Sequence, residues 1–256
     1  MIEQISASKL DCYLQCPLKF RLRYIDMIES DETSVPLVFG SAVHGTVKHF
    51  YKRLMAGQRL SVEETAAAFT QDWEAQCCVP IKWNGTTPEQ LQEQGIALVR
   101  AYMESISEPV IPIAVEQELR APITNLATGE TISGITIHGI LDRVEPGNTP
   151  RPIELKTSAQ SYSQFRTDIS LQFSIYSYLI AYHHQAEEID GDYEIMVKLK
   201  QPKVQRLTTR RNVRDFDKLY RTIQSVMRGI ESNVFHPNPS HMFCAGCDLS
   251  RECRAW

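Results

Sequence analysis

Asp142 closes the apolar run Gly139-Ile140-Leu141, and Ile153-Glu154-Leu155-Lys156 follows it beyond the turn-forming Pro146-Gly147-Asn148. If the two segments are neighbouring strands, about 4.8 Å apart, Asp142 and Glu154 can face one another a few ångströms apart. Two carboxylates that close in an interior need a cation between them. Hard divalent ions such as Mg²⁺ and Mn²⁺ prefer carboxylate and water oxygens. Lys156 shares the Glu154 face, because side chains alternate along a strand. An ammonium there can position or deprotonate a metal-bound water, or stabilise charge on a phosphate. Taken singly, such residues are most often strand-end ion pairs. The apolar flanks of these place them near a core, where charges are rare unless paired or functional.

The cysteines form a second group. There are seven, an odd number, and Cys244-Ala245-Gly246-Cys247 with Cys253 gives a C-x2-C-x5-C pattern near the end of the chain. Three thiolates so spaced want a fourth ligand. Cys16, beside Pro17, is the candidate, with Cys12 one helical turn before it. Structural Zn²⁺ and [4Fe–4S] clusters both commonly use four cysteines, and the spacing alone leaves the two even. Without an export signal or an even count, a disulfide framework is not expected. Cys77 and Cys78 are adjacent, point apart on a helix and read as buried small hydrophobes.

The elements that must carry these residues follow from periodicity and caps. Ser6 or Ser8 can cap a first helix through Leu10, Tyr13, Leu14, Leu18, Leu22 and Ile25, which Pro17 must kink or restart. A second helix is expected over Gly40 to Met55. A third runs from the capping box at Ser61 to Cys77, and a fourth begins at Thr87-Pro88-Glu89 and passes Tyr102. The period then changes. Strands are expected over Ile113–Ile123, Ile132–Val144 and Pro152–Lys156. A helix from about Ile169 to His183, strands over Tyr193–Leu199 and Val204–Thr209, and a helix from about Val213 to Glu231 complete the chain. The sum is a mixed α/β domain whose sheet lies in the second half.

Composition bounds the function. The 256 residues carry a net charge of −4, with 43% hydrophobic and 23% charged residues. This excludes a disordered or collagen-like chain, and argues against a surface that binds nucleic acid indiscriminately. No apolar run approaches a membrane span and no secretory signal is visible at the N-terminus, so a cytoplasmic protein is expected. Lys19, Arg21 and Arg23, and Arg206, Arg210, Arg211 and Arg214, are local basic groups. Tyr13, Phe20 and Tyr24 are aromatic groups able to stack on bases. A solvated basic face and core aromatics account for them equally well.

Gly139-Ile140-Leu141-Asp142-Arg143 followed by Ile153-Glu154-Leu155-Lys156 resembles the core of the PD-(D/E)XK nucleases, in their RecB-like exonuclease branch. Phe39-Gly40-Ser41-Ala42-Val43-His44 resembles the G-x-x-x-H helix of that branch. Gln172-Phe173-Ser174-Ile175-Tyr176 resembles its Q-x-x-x-Y motif. Ser6-Ala7-Ser8-Lys9-Leu10 through Cys16-Pro17-Leu18-Lys19-Phe20 resembles its opening segment. The matches span nearly the whole chain in the expected order, with Gly-Ile-Leu-Asp where the literal motif has Pro-Asp.

The resemblance implies a restriction-endonuclease-like core, a mixed central sheet flanked by helices. An N-terminal helical region (1–110), the core (111–232) and a cysteine-rich tail (233–256) closing onto the N-terminus would form a single domain over 1–256. It implies that His44, Asp142 and Glu154, with the Leu155 carbonyl, hold Mg²⁺ or Mn²⁺. Asp142, Glu154, Lys156, Gln172 and Tyr176 would then carry phosphodiester hydrolysis, Gln172 and Tyr176 by orienting Lys156 or contacting phosphate. For the cysteines it favours a structural [4Fe–4S] cluster on Cys16, Cys244, Cys247 and Cys253, as in AddB-type and CRISPR-associated nucleases, over structural Zn²⁺. The implied substrate is DNA, single-stranded or end-containing, cut as an exonuclease in repair, recombination or CRISPR adaptation. A helicase or a CRISPR integrase is the implied partner, and no membrane. The alternative from another class is a non-catalytic DNA-binding or scaffold subunit of a helicase–nuclease or CRISPR complex. His49, His138, His183 and His184 lack any such context.

Overall fold

The chain is described from a computed structural model covering residues 2–83 and 85–256. It begins with a short strand β1 (Gln4–Ile5) and helices α1 (Ala7–Gln15) and α2 (Pro17–Tyr24). Pro17 restarts the helix rather than kinking it. Cys16 lies in extended backbone between the two, and its sulfur accepts the Lys19 N–H as the cap of α2. A two-residue strand β2 (Thr33–Ser34) leads into α3 (Val35–Met55), which begins five residues before the expected Gly40 because Pro36 suits a first turn. Helix α4 (Val62–Gln76), strand β3 (Ile81–Lys82, parallel to β2) and helix α5 (Pro88–Glu104) follow. Both α4 and α5 begin in capping boxes, at Ser61/Glu64 and Thr87/Gln90.

The second half builds the sheet from β4 (Ala114–Thr124), β5 (Thr131–Glu145), β6 (Arg151–Ser158), β7 (Glu188–Val197) and β8 (Lys203–Asn212). Helices α6 (Gln164–Asp168) and α7 (Leu171–His184) join β6 to β7, and α8 (Val213–Glu231) follows β8. Two short helices, α9 (His241–Cys244) and α10 (Ser250–Ala255), lie in the tail. The strand order is β1-β5-β6-β7-β8, with β4 antiparallel on β5. The β6–β7 pair is parallel, and α6 and α7 supply the crossover such a pair requires. Strand β7 starts five residues before the expected Tyr193, since Glu188 to Asp192 continue the ladder against β8.

Helices cover both faces. On one, α1, α7 and α8 share a core with Ile137 and Leu141 of β5. On the other, α3, α4 and α5 pack Phe39, Phe50, Trp73 and Tyr102 against Leu155 and Met196. This is the mixed central sheet between helical layers expected from the sequence. A Cβ at Gly139 would come 2.9 Å from the Tyr176 ring, so this position lets α7 lie close on β5. Cys77 follows the last residue of α4 and is half-buried, whereas Cys78 is exposed. Cys78 is therefore not the buried hydrophobe expected of it, because the helix ends before it can turn that side chain inward.

Candidate active site

Strand β5 pairs with β6 only over Arg143–Glu145. Beyond that point the strands part, and Leu155, still paired with Glu194 of β7, has no ladder partner on β5. Its N–H donates instead to the Asp142 carboxylate, at 2.9 Å. An unpaired backbone N–H here would be costly, so the fork itself fixes one carboxylate oxygen. The other oxygen lies 3.3 Å from Nδ1 of His44, which α3 brings to the same edge.

Glu154 is the unusual member. It is 1% exposed, and neither of its oxygens has a hydrogen-bonding partner in proper geometry among the described residues. Its one close contact is an ion pair, Lys156 Nζ to Oε1, at 2.5 Å. Burial, and then the neighbouring Asp142 charge, push its carboxyl up to about 7, against the pull of Lys156. Burial opposes charge on Lys156, but Glu154 outweighs it and holds the ammonium protonated above its ordinary range. At His44, burial is outweighed by the Asp142 contact and the Asp142 and Glu154 charges, and the imidazole keeps its proton higher than usual. Lys156 Nζ also donates to Gln172 Oε1 at 2.8 Å, and Gln172 Nε2 donates to the Tyr176 hydroxyl at 2.9 Å. The i, i+4 pair on α7 thus ends a chain from Glu154 to Tyr176.

The structure therefore brings His44, Asp142, Glu154, Lys156, Gln172 and Tyr176 together, while the Leu155 side chain packs on the α3 side of the sheet. A buried carboxylate balanced by one ammonium, a second carboxylate and an imidazole form a donor set that fits Mg²⁺ or Mn²⁺. Among the described residues no three His, Cys, Asp or Glu side chains stand at ligating separation. Holding an ion would require these to close in, with Lys156 now supplying the counter-charge.

With this geometry in view, the family comparison decides the identity. A model of the PD-(D/E)XK nuclease superfamily matches residues 4–254. The chain belongs to the PD-(D/E)XK nuclease superfamily. Among solved structures, it is similar to a protein from Eubacterium rectale described as a candidate exonuclease. The identity is 12% and the TM-score 0.58, over 99% of this chain and 88% of that one. At that identity the likeness shows the shared fold. SSO0001 matches at 16% identity and a TM-score of 0.37, over 93% of this chain and 94% of that one. No curated protein sequence matches the chain.

In this nuclease fold the cysteines also converge. Cys16, Cys244, Cys247 and Cys253 line one cavity of about 430 Å³ between α2 and the tail, and all are free thiols. Burial, and then the Cys16, Cys247 and Cys244 sulfurs, raise the Cys253 thiol. Cys12 is buried in the α1–α8 core and does not line the cavity. Lys19 reaches Asp248 at 2.9 Å and Arg23 pairs with the same carboxylate, tying the chain ends together. Four sulfur donors lining one cavity are the donor type of a thiolate-bound metal group, and holding one would require them to close in.

The basic and aromatic groups are mostly committed elsewhere. Arg206 pairs with Glu194, and Arg210 with Asp190 and Glu188. Arg211 is buried against Ser174, Thr209 and the Thr167 and Ser170 carbonyls. Tyr13 and Phe20 lie in the core and offer no face to a base.

The sequence reading gave Arg143 no role beyond its place in the motif. It is 5% exposed and, like Asp142, meets the α3 side, donating to Glu194 and the Tyr102 hydroxyl at 3.0 and 3.2 Å, with its guanidinium 4.1 Å from the Tyr51 ring. Its signal was its setting between apolar Leu141 and Val144, where a charge is carried toward a core and needs a partner.

Proposed function

We propose that this nuclease is a Mg²⁺- or Mn²⁺-dependent deoxyribonuclease, an exonuclease acting on single-stranded DNA or DNA ends by phosphodiester hydrolysis. The observation that carries the reading is the buried Glu154 carboxylate, pushed up by burial and by the Asp142 charge and ion-paired with Lys156. His44, Asp142 and Glu154, with the Leu155 carbonyl, would hold the ion, which when bound supplies an activated water and charge neutralisation at the phosphate. Lys156, kept protonated by Glu154 and aimed by Gln172, offers an ammonium that stabilises negative charge developing on the phosphate oxygens. Tyr176 holds the Gln172 amide so that its oxygen, rather than its nitrogen, faces Lys156.

In this reading the chain is one nuclease domain over 1–256, with 1–110 helical, 111–232 the core and 233–256 a tail that closes on the N-terminus. Cys16, Cys244, Cys247 and Cys253 hold a [4Fe–4S] cluster, with Zn²⁺ the competing occupant. Its role is structural, since Asp142 and Glu154 belong to a different part of the fold. The reading extends to a cytoplasmic enzyme of DNA repair, recombination or CRISPR adaptation, partnered by a helicase or an integrase. No helix among the described residues is long and apolar enough to cross a membrane.

The test is incubation of anaerobically purified protein with end-labelled single- and double-stranded DNA, in Mn²⁺, Mg²⁺ or chelator. Shortening of labelled ends only with divalent metal, and its loss in Asp142→Asn, is the expected result. DNA binding without cutting under every condition would favour a non-catalytic subunit instead.

A further inference from the structure

Glu116 is the one residue of β4 with its backbone in the left-handed region, at φ 51°. Val115 pairs with Arg143 and Gln117 with Leu141, so Glu116 falls directly across from Asp142. A side chain other than glycine held at positive φ is strained, and such strain concentrates where the surroundings over-determine a conformation. The kink turns the Glu116 side chain toward α3, where its Oε2 meets Lys48 Nζ at 2.9 Å. Lys48 lies one helical turn beyond His44, on the same face.

Three contacts thus run in file between one helix face and the β4–β5 pair. His44 meets Asp142 at 3.3 Å, Lys48 meets Glu116 at 2.9 Å, and Tyr51 stacks on Arg143 at 4.1 Å. His44, Lys48, Glu116 and Asp142 also line one small cavity at this junction. The middle contact is half-exposed on both sides, and exposed ion pairs contribute little to stability. A strained backbone that yields only such a pair is poorly explained by folding alone.

We propose that Glu116 is a positioning residue of the hydrolytic site: its ion pair with Lys48 fixes the exposed side of the His44–Lys48 turn, whose helix the core already seats, and so keeps the His44 imidazole against the Asp142 carboxylate. The inference rests on the nuclease reading for its consequence, though not for its geometry. Loss of the brace would free the His44 end of the donor set while leaving Asp142 and Glu154 seated on their strands.

The test compares the full-length parent, Glu116→Gln and the charge-swapped pair Lys48→Glu with Glu116→Lys. Three readouts are taken: metal-free crystal structures, Mn²⁺ titration by calorimetry, and thermal melting. In Glu116→Gln we expect His44 displaced from Asp142, Mn²⁺ bound up to about fivefold more weakly, and an unchanged melting temperature. The swapped pair restores both His44 and the affinity. An unmoved His44 and unaltered Mn²⁺ affinity in Glu116→Gln would overturn the inference. A melting temperature that falls in parallel with affinity, and is not recovered by the swap, would overturn it as well. Should the parent itself bind no Mn²⁺, the nuclease reading fails, and the metal-free structures still decide the positioning of His44.

Discussion

The Leu155 N–H donates to the Asp142 carboxylate at 2.9 Å, across the fork where β5 and β6 cease to pair. A side chain here takes over from a backbone carbonyl. The opening of the sheet and the anchoring of the Asp142 carboxylate are therefore a single structural event. The same carboxylate bridges to His44, so three elements meet on one residue.

That dual role separates two substitutions. Asp142→Asn keeps a side-chain oxygen for the Leu155 N–H and should melt close to the parent, while cutting no DNA in Mn²⁺ or Mg²⁺. Asp142→Ala leaves the N–H without its partner and should lose about 1–3 kcal/mol besides. Chemical denaturation beside a nuclease assay distinguishes the pair.

Glu154 predicts a pH signature. Its carboxyl titrates at about 7 in the fold, against an ordinary 4.5. Between those values the folded chain binds more protons than the unfolded one, so stability falls as pH rises from about 4.5 to 7 and stays reduced above. Glu154→Gln, which cannot ionise, should therefore gain stability over the parent at pH 8, by about 1–3 kcal/mol, and little at pH 4. Divalent ions should stabilise the parent at pH 8 but not Glu154→Gln. Melting curves at the two pH values, with metal and with chelator, are the measurement. Equal melting shifts at both would contradict the assignment.

Tyr176→Phe removes only the far end of the Glu154–Lys156–Gln172–Tyr176 chain. A neutral hydrogen bond contributes about 1 kcal/mol, so hydrolysis should slow about fivefold. Gln172→Ala releases Lys156 directly and should slow it further, with KM for DNA little changed. Steady-state kinetics on a single-stranded substrate would show the order.

Beside the site, Arg143→Met should destabilise the protein by about 3–5 kcal/mol, because Glu194 would stay buried without its main counter-charge. The double replacement Arg143→Met with Glu194→Met should recover much of that loss, since apolar groups of similar size can stand in for a buried pair. Urea unfolding of the three proteins tests this.

At the cysteine cavity, Ser in place of Cys16 retains an acceptor for the Lys19 N–H and so the cap of α2. Cys16→Ser should keep the melting of the core yet lose bound iron and expose residues 241–256 to protease. Iron analysis and limited proteolysis of anaerobic protein measure both. Colourless parent protein with stoichiometric zinc would instead assign the cavity to Zn²⁺.

Much of this was legible before any coordinates. The capping boxes at Ser61 and Thr87, the restart at Pro17 and the change of period after Tyr102 are local effects, set by hydrogen-bonding and steric preferences within a few residues. The motif residues were legible too, because Asp142, Glu154 and Lys156 stand in apolar surroundings that make a charge conspicuous. Arg143 stands among the same apolar neighbours. Glu116 has no such signal, since nothing in Val115-Glu116-Gln117 announces a positive φ.

The amino-acid order alone determined the longer helices and strands, which family pattern the chain carries, and which charged and sulfur-bearing groups stand out from it. Folding decided the rest: that Leu155 N–H seeks the Asp142 carboxylate, that Arg206, Arg210 and Arg211 serve ion pairs and a buried network, and that Lys48 reaches Glu116. These outcomes depend on where strands diverge and which distant partner lies nearest. They are set by the joint packing of several elements, which no short stretch of sequence encodes.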